Sequence, residues 1–249
     1  MRNLLVELAY DGRAYHGWQV QENAPTVQQT FQDAWQQICR VRDNVVGCSR
    51  TDAGVHANMF FCNVRTDTSL ECEKLVTALN AVLPDDIVVK SCREVPCEFH
   101  ARYDCVSKEY IYRILDSSVS SPFLNGLVWH YKYRLDENLL NECAKCFLGT
   151  HDFSGFCSAG SSVEDTVRTV YRSEVTRQGD EVVFRIEADG FLYNMVRIIT
   201  GTLIAVAQGK IKKEDLPAII ESHERALAGP TAPPQGLYLN RVNYGGEIR

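Results

Sequence analysis

NVVGCSRTDAGVHANMFFCNVRT, residues 44–66, consists of two apolar runs parted by a polar stretch that carries a glycine. Runs of this length, rich in Val and Phe and bounded by turn residues, read as strands, so residues 44–49 and 58–65 are expected to pair around the loop RTDAGVHA, residues 50–57. Upstream, NLLVELAY (3–10) reads as another strand, and DGRAYHGW (11–18) follows it as a loop punctuated by glycine. Thr26 with Gln29 then makes a capping box, and Val27, Phe31, Ala34, Trp35 and Ile38 fall on one helical face. Downstream, Thr68 with Glu71 is expected to cap a second helix through about Val82, and IVVKSC (87–92) returns as a strand. The order is β-α-β-β-α-β.

The second half reads as a variation on the same plan. Strands KEYIYRIL (108–115) and LVWHYKY (127–133) precede a helix from Asp136 to about Leu148, and residues 167–189 form a hairpin turning at Gly179. An apolar helix from about Leu192 to Ala207, a short acidic helix and a last strand, GLYLNRVNY (236–244), complete it. The fold class is therefore α+β: two tandem halves, each with an antiparallel or mixed sheet and helices on one face. The domains are placed at residues 1–104, carrying the RTDAGVHA loop, and 105–249, carrying KEYIYR, MVRIITG and QGLYL.

At 249 residues the chain can bury a proper core, and 45% hydrophobic with 23% charged residues is ordinary for a globular protein. Its ten cysteines lie scattered in apolar runs, which reads as free cytosolic thiols. The apolar stretch in MRNLLVELAYDG is too short for a signal peptide, and IITGTLIAVA, from Ile198, is about half a membrane span, so a cytoplasmic protein without a membrane is expected. A net charge of −6 argues against indiscriminate coating of nucleic acid but permits a local basic cleft.

Several residues could carry chemistry. In the quoted loop, Asp52-Ala53-Gly54 reads either as turn chemistry or as a presented carboxylate flanked by Arg50 and His56. Arg197 lies early in FLYNMVRIITGTLIAVA, where a cation opposes the helix dipole and requires an anion. Asp189 or Glu187 would make that a structural pair, and a carboxylate brought from elsewhere, such as Asp52, a functional one. Lys108, Tyr110 and Tyr112 share one strand face, where the tyrosines serve either sheet packing or stacking on a flat base. The loop YDGRAYHGWQ adds Arg13, Tyr15, His16 and Trp18. Cys143 and Cys146 form a lone CxxC, a poor zinc signal, and His151-Asp152 would suit a hydrolase only with metal. No phosphate loop, nucleophile elbow or dinucleotide fingerprint is present.

Taken in order, YDGRAYHGWQVQ, RTDAGVHA, FHARYDCVSKEYIYRI, GTHDFSGF, DGFLYNMVRIITGTL and APPQGLYL resemble the tRNA pseudouridine synthase A family over about residues 5–244. The resemblance implies the pseudouridine synthase fold with a central active-site cleft, and an isomerase that converts uridine to pseudouridine in the anticodon stem-loop of tRNA, at about positions 38 to 40. It also implies a homodimer with neither metal nor organic cofactor. Asp52 corresponds to the catalytic nucleophile, Arg197 to the cation that pairs with it, and Tyr110 to an active-site tyrosine that stacks on the uracil. Arg50 is placed to help extrude the target nucleotide, and Leu237 to pack against the other side of the base. Arg13, His16, His56, Arg102 and Lys108 are implied as phosphate or sugar contacts. Two departures stand out: Ser49 replaces the glycine that commonly precedes Arg50, and Cys105 replaces a common small residue. The rivals are a catalytically silent RNA-binding module and the metal-dependent hydrolase.

Overall fold

The computed structural model describes residues 1–160 and 163–246. The chain divides into two compact units, one of Met1–Val106 together with the chain from Tyr238 onward, the other of Ser107–Leu237. The first follows the expected order, with β1 (Arg2–Tyr10), α1 (Val27–Cys39), β2 (Val45–Gly47), β3 (His56–Thr66), α2 (Cys72–Asn80) and β4 (Ile87–Val95). The central strand, β1, pairs antiparallel with β3 on one side and β4 on the other, and β2 extends the sheet beyond β3. Thr26 caps α1 through its side chain, which accepts from the Gln29 amide, and Val27, Phe31, Ala34 and Trp35 bury the apolar face. Trp18 fills the space beneath the RTDAGVHA loop, with its ring 4.1 Å from Phe60.

The cap of α2 differs from the sequence expectation. Its N-cap is Glu71 with no side-chain bond, and the Thr68 hydroxyl instead accepts the Leu70 amide at 3.3 Å in the preceding turn. Thr68 and Glu71 have capping-box spacing, but the local hydroxyl turn takes the threonine out of the helix.

The second unit holds β5 (Ser107–Asp116), β6 (Trp129–Tyr131), α3 (Glu137–Ala144), β7 (Gly149–Asp152), β8 (Val167–Gln178), β9 (Glu181–Ala188), α4 (Met195–Ala207) and α5 (Leu216–Ser222). Antiparallel pairing runs β5-β9-β8-β7, and β6 lies parallel to the end of β5. The expected strand LVWHYKY thus shrinks to three residues, and the GTHD segment, given no element on sequence, is the added strand β7. The helix capped by Asp136 tightens into a 3-10 turn over Lys145–Phe147. Every residue of α4 except Arg197 and Ala207 is buried.

The last strand, β10 (Leu237–Asn243), was assigned on sequence to the 105–249 half. From Tyr238 it belongs to the first unit, where it pairs parallel with β3 through Tyr238 opposite His56 and Leu239 opposite Ala57. Among the described residues no helix is long and apolar enough to cross a membrane.

The segment from Gly229 to Gly236 lies as a strap on α4 and β5. The Gly229 amide donates to the Thr202 hydroxyl at 2.8 Å, the Ala232 amide to the Arg197 carbonyl at 3.0 Å, and the Tyr112 hydroxyl to the Pro233 carbonyl at 2.6 Å. Gly201 is the point of closest approach, because a Cβ there would overlap the Pro230 carbonyl oxygen. Gly201→Ala is expected to cost about 2 kcal/mol or more and to lower Tm by roughly 4–8 °C in a thermal melt. An unchanged Tm would show that the strap does not press on the helix.

Candidate active site

In the first unit the 50–57 loop is held by its backbone. The Asp52 carbonyl accepts the Val55 amide at 3.1 Å, closing a turn in which Gly54 takes φ +76°. The turn chemistry anticipated for Asp52 is thus done by its main-chain oxygen. Three further bonds fix the loop against the first: Trp18 donates to the Thr51 carbonyl at 3.1 Å, Gly54 donates to the Tyr15 carbonyl at 3.2 Å, and the Thr51 and Tyr10 hydroxyls meet at 2.8 Å. Asp52 is half-buried on this rigid turn, and Arg50 is exposed.

His56, implied by the resemblance as a phosphate or sugar contact, is 1% exposed and lies under the Tyr238 ring, with centroids 4.5 Å apart and planes 18° from parallel. Its Nδ1 lies 3.1 Å from the Gly12 amide nitrogen. The Asp11 carboxylate approaches the same nitrogen at 3.2 Å. Arg13 is exposed and grips the Asp11 carboxylate at 2.6 and 2.8 Å. Burial pushes the Asp11 carboxyl up, but the bonds from the Arg13 side chain and amide outweigh this and hold it below its ordinary value. Sequence reasoning passed over Asp11 because Asp-Gly reads simply as a turn.

In the second unit Tyr110 and Tyr112 are buried on one face of β5, opposite Ile186 and Phe184 of β9, with Lys108 half-buried on the same face. The Tyr110 ring meets Phe191 edge-on at 5.0 Å. Tyr112 spends its hydroxyl on the strap, and burial raises it well above the ordinary phenol range against the opposing pull of Arg197. This anchoring role of Tyr112 was not anticipated. Leu237, 5% exposed, follows the strap directly.

Arg197 is half-buried and aimed by neutral oxygens: its Nε donates to the Ala232 carbonyl at 2.8 Å and its Nη1 to Asn194 Oδ1 at 2.7 Å. Of the two carboxylates weighed as structural partners, Glu187 accepts the Ser107 hydroxyl at 2.6 Å and Asp189 accepts the Thr169 amide at 3.0 Å. Asn194 itself sits at φ +62° and bonds Ser158, a left-handed start to α4 with no signal in the local pattern.

The hydrolase reading loses its residues to structure. His151 Nε2 lies 2.8 Å from the Leu148 carbonyl, while Asp152 accepts from the Ser154 amide and the Thr166 hydroxyl and is held below its ordinary value chiefly by the latter. Among the described residues no three His, Cys, Asp or Glu side chains gather as a metal set. Cys143 is buried in α3, and burial pushes its thiol up to about 11, away from the thiolate that zinc requires.

The model of a family described as tRNA pseudouridine synthase matches residues 8–104 and 143–245. The chain belongs to that family. It is therefore an isomerase. It is 47% identical over 244 residues to the tRNA pseudouridine synthase A of Thermoanaerobacter sp. (strain X514), a match covering 98% of this chain and 100% of the relative. The proteins of the same name from Acetivibrio thermocellus and Clostridium acetobutylicum are 46% and 43% identical, over the same shares of both chains. The enzyme carries RTDAGVHA on a backbone-held turn and MVRIITG at the start of a buried helix.

Proposed function

We propose that the enzyme isomerises uridine to pseudouridine in the anticodon stem-loop of tRNA, at about positions 38 to 40, with Asp52 as the nucleophile. Membership of the family over both matched segments carries the reading, and a half-buried Asp52 on a backbone-locked turn supports it. The reaction breaks the bond from N1 to C1′, rotates the uracil, joins C5 to C1′ and releases the C5 proton, so every atom except that exchanged hydrogen stays in the substrate. Attack at C1′, assistance to a glycal and addition at C6 all start from an ionised carboxylate. Arg197, oriented by Ala232 and Asn194, is the cation that keeps Asp52 ionised. Tyr110 stacks on the uracil, Leu237 packs its other side, and Arg50 helps to extrude the nucleotide at a cost of a few kcal/mol in lost stacking and pairing. Lys108 and Arg13 serve the sugar-phosphate backbone, and a tRNA substrate places the enzyme in the cytoplasm.

The test uses unmodified tRNA transcript tritiated at uridine C5, with chelator present. Release of tritium to water by the wild type is the expected result. Binding of the transcript without release would overturn the reading and leave an RNA-binding module.

A further inference from the structure

Beside the RTDAGVHA loop the first unit carries a groove of about 220 Å³, lined by β2 from Val45, by Ser49 and Arg50, and by His100, Arg102 and Tyr103. Its lining includes two arginines and a histidine but no carboxylate, an unusual surface on a chain of net charge −6. The volume is smaller than the roughly 300 Å³ at which pockets for drug-sized ligands begin, which suits a single flat ring.

The wall formed by residues 100–103 is built and not merely exposed. Ala101 is fully buried, and it is pinned from both ends: its amide donates to Asn63 Oδ1 at 2.9 Å, and its carbonyl accepts the Tyr244 hydroxyl at 2.8 Å. Asn63 Nδ2 in turn donates to Asn3 Oδ1 at 3.0 Å, and Asn3 Nδ2 donates to the Phe99 carbonyl at 2.9 Å. His100 Nδ1 accepts the amides of Arg102 and Tyr103, each at 3.2 Å, and its ring stacks on Tyr103 with centroids 4.2 Å apart. The Arg102 guanidinium carbon lies 5.9 Å from the centre of the same ring. All this fixes in place a tyrosine that is 75% exposed. Burial does not explain such an arrangement; a ligand with a π-face does.

We infer that this groove receives an unstacked nucleobase flanking the target uridine, stacked on Tyr103 with its backbone phosphate against Arg102 and Arg50. The inference rests on the proposed function and deepens it. Arg50 lines the groove and stands two residues from Asp52, so a strand whose uridine is presented to Asp52 brings its neighbour here. Stacking tolerates any base, which makes the groove a grip on single-stranded geometry more than a reader of sequence.

The experiment measures Kd for unmodified anticodon stem-loop RNA with wild type, Tyr103→Leu and Tyr103→Phe, and repeats it with each flanking nucleotide replaced in turn by an abasic ribose. Tyr103→Leu is expected to weaken binding roughly tenfold to a hundredfold, and Tyr103→Phe to keep it. At one flanking position the abasic substitution should cost the wild type a similar factor and cost Tyr103→Leu almost nothing. Equal abasic losses in wild type and Tyr103→Leu at every position would overturn the groove, as would a Phe variant as weak as the Leu variant. Tritium release by the wild type, measured on the same RNAs, keeps the two readings apart: release without coupling sinks the groove alone, and coupling without release sinks the isomerase.

Discussion

Asp52→Asn is expected to lower the single-turnover rate of pseudouridine formation by on the order of 10⁴-fold or more while tRNA binding is kept. The size follows from the role: a carboxylamide is neither an anion nor a nucleophile of useful strength, and every route through C1′ or C6 begins with the anion. The substitution is also structurally mild. The turn is closed by the Asp52 main-chain oxygen onto Val55, a bond that asparagine keeps, and asparagine is nearly isosteric with aspartate. Binding should hold or tighten slightly, because a negative charge is removed from the neighbourhood of phosphates. A variant that keeps more than about a tenth of the wild-type rate would remove Asp52 from the chemistry.

Arg197→Ala carries the second large effect, a fall of about 10²- to 10³-fold in the rate at neutral pH, the usual loss when one preorganised charge is taken from a site. Its signature lies in the pH profile. A carboxylate that loses its cation holds a proton more strongly. Activity requires the ionised form, so as pH falls it is lost earlier, the acid limb moves to higher pH, and part of the loss is recovered under alkaline conditions. Because Arg197 also bonds the strap at Ala232, a drop in Tm is expected alongside. Such a drop alone would scale the rate without moving the limb, and an unmoved limb would assign Arg197 to the strap only. Arg197→Lys, which keeps the charge but loses the fork, should lie between, with its limb near the wild type's.

Local pattern made much of the fold legible. A short apolar run and the Thr26 cap place β1 and the start of α1 within a residue or so, and the apolar run around Arg197 reads directly as a buried helix. Other features lacked a local signal. Strand β7 is four residues long, too short to display a period, and its His151-Asp152 pair suggested chemistry where the side chains serve the backbone. The membership of β10 depends on a parallel pairing with β3, a long-range choice that no window of sequence contains. The site divides in the same way. Arg197 stood out because a cation early in an apolar helix violates the expectation for its surroundings, and Asp52 because the ordered motifs around it resemble a family, whereas the burial of His56 involves Tyr238, which is remote in sequence. The His100–Tyr103 wall escaped because its rigidity comes from Asn63 and Tyr244, remote partners in sequence.

The division of the first unit between the two ends of the chain has a consequence for biogenesis. On the ribosome, Met1–Val106 emerges with β3 lacking the partner that β10 will provide, and the whole of Ser107–Leu237 must be synthesised before that partner appears. During that interval the nascent chain presents an open sheet edge beside the His56 ring, the kind of surface that chaperones cover and that pairs wrongly between neighbouring polysomes. Cover for that ring waits on Tyr238, translated only after the whole of the second unit, so an abortive product released before Tyr238 is a candidate for degradation and not a half-active enzyme.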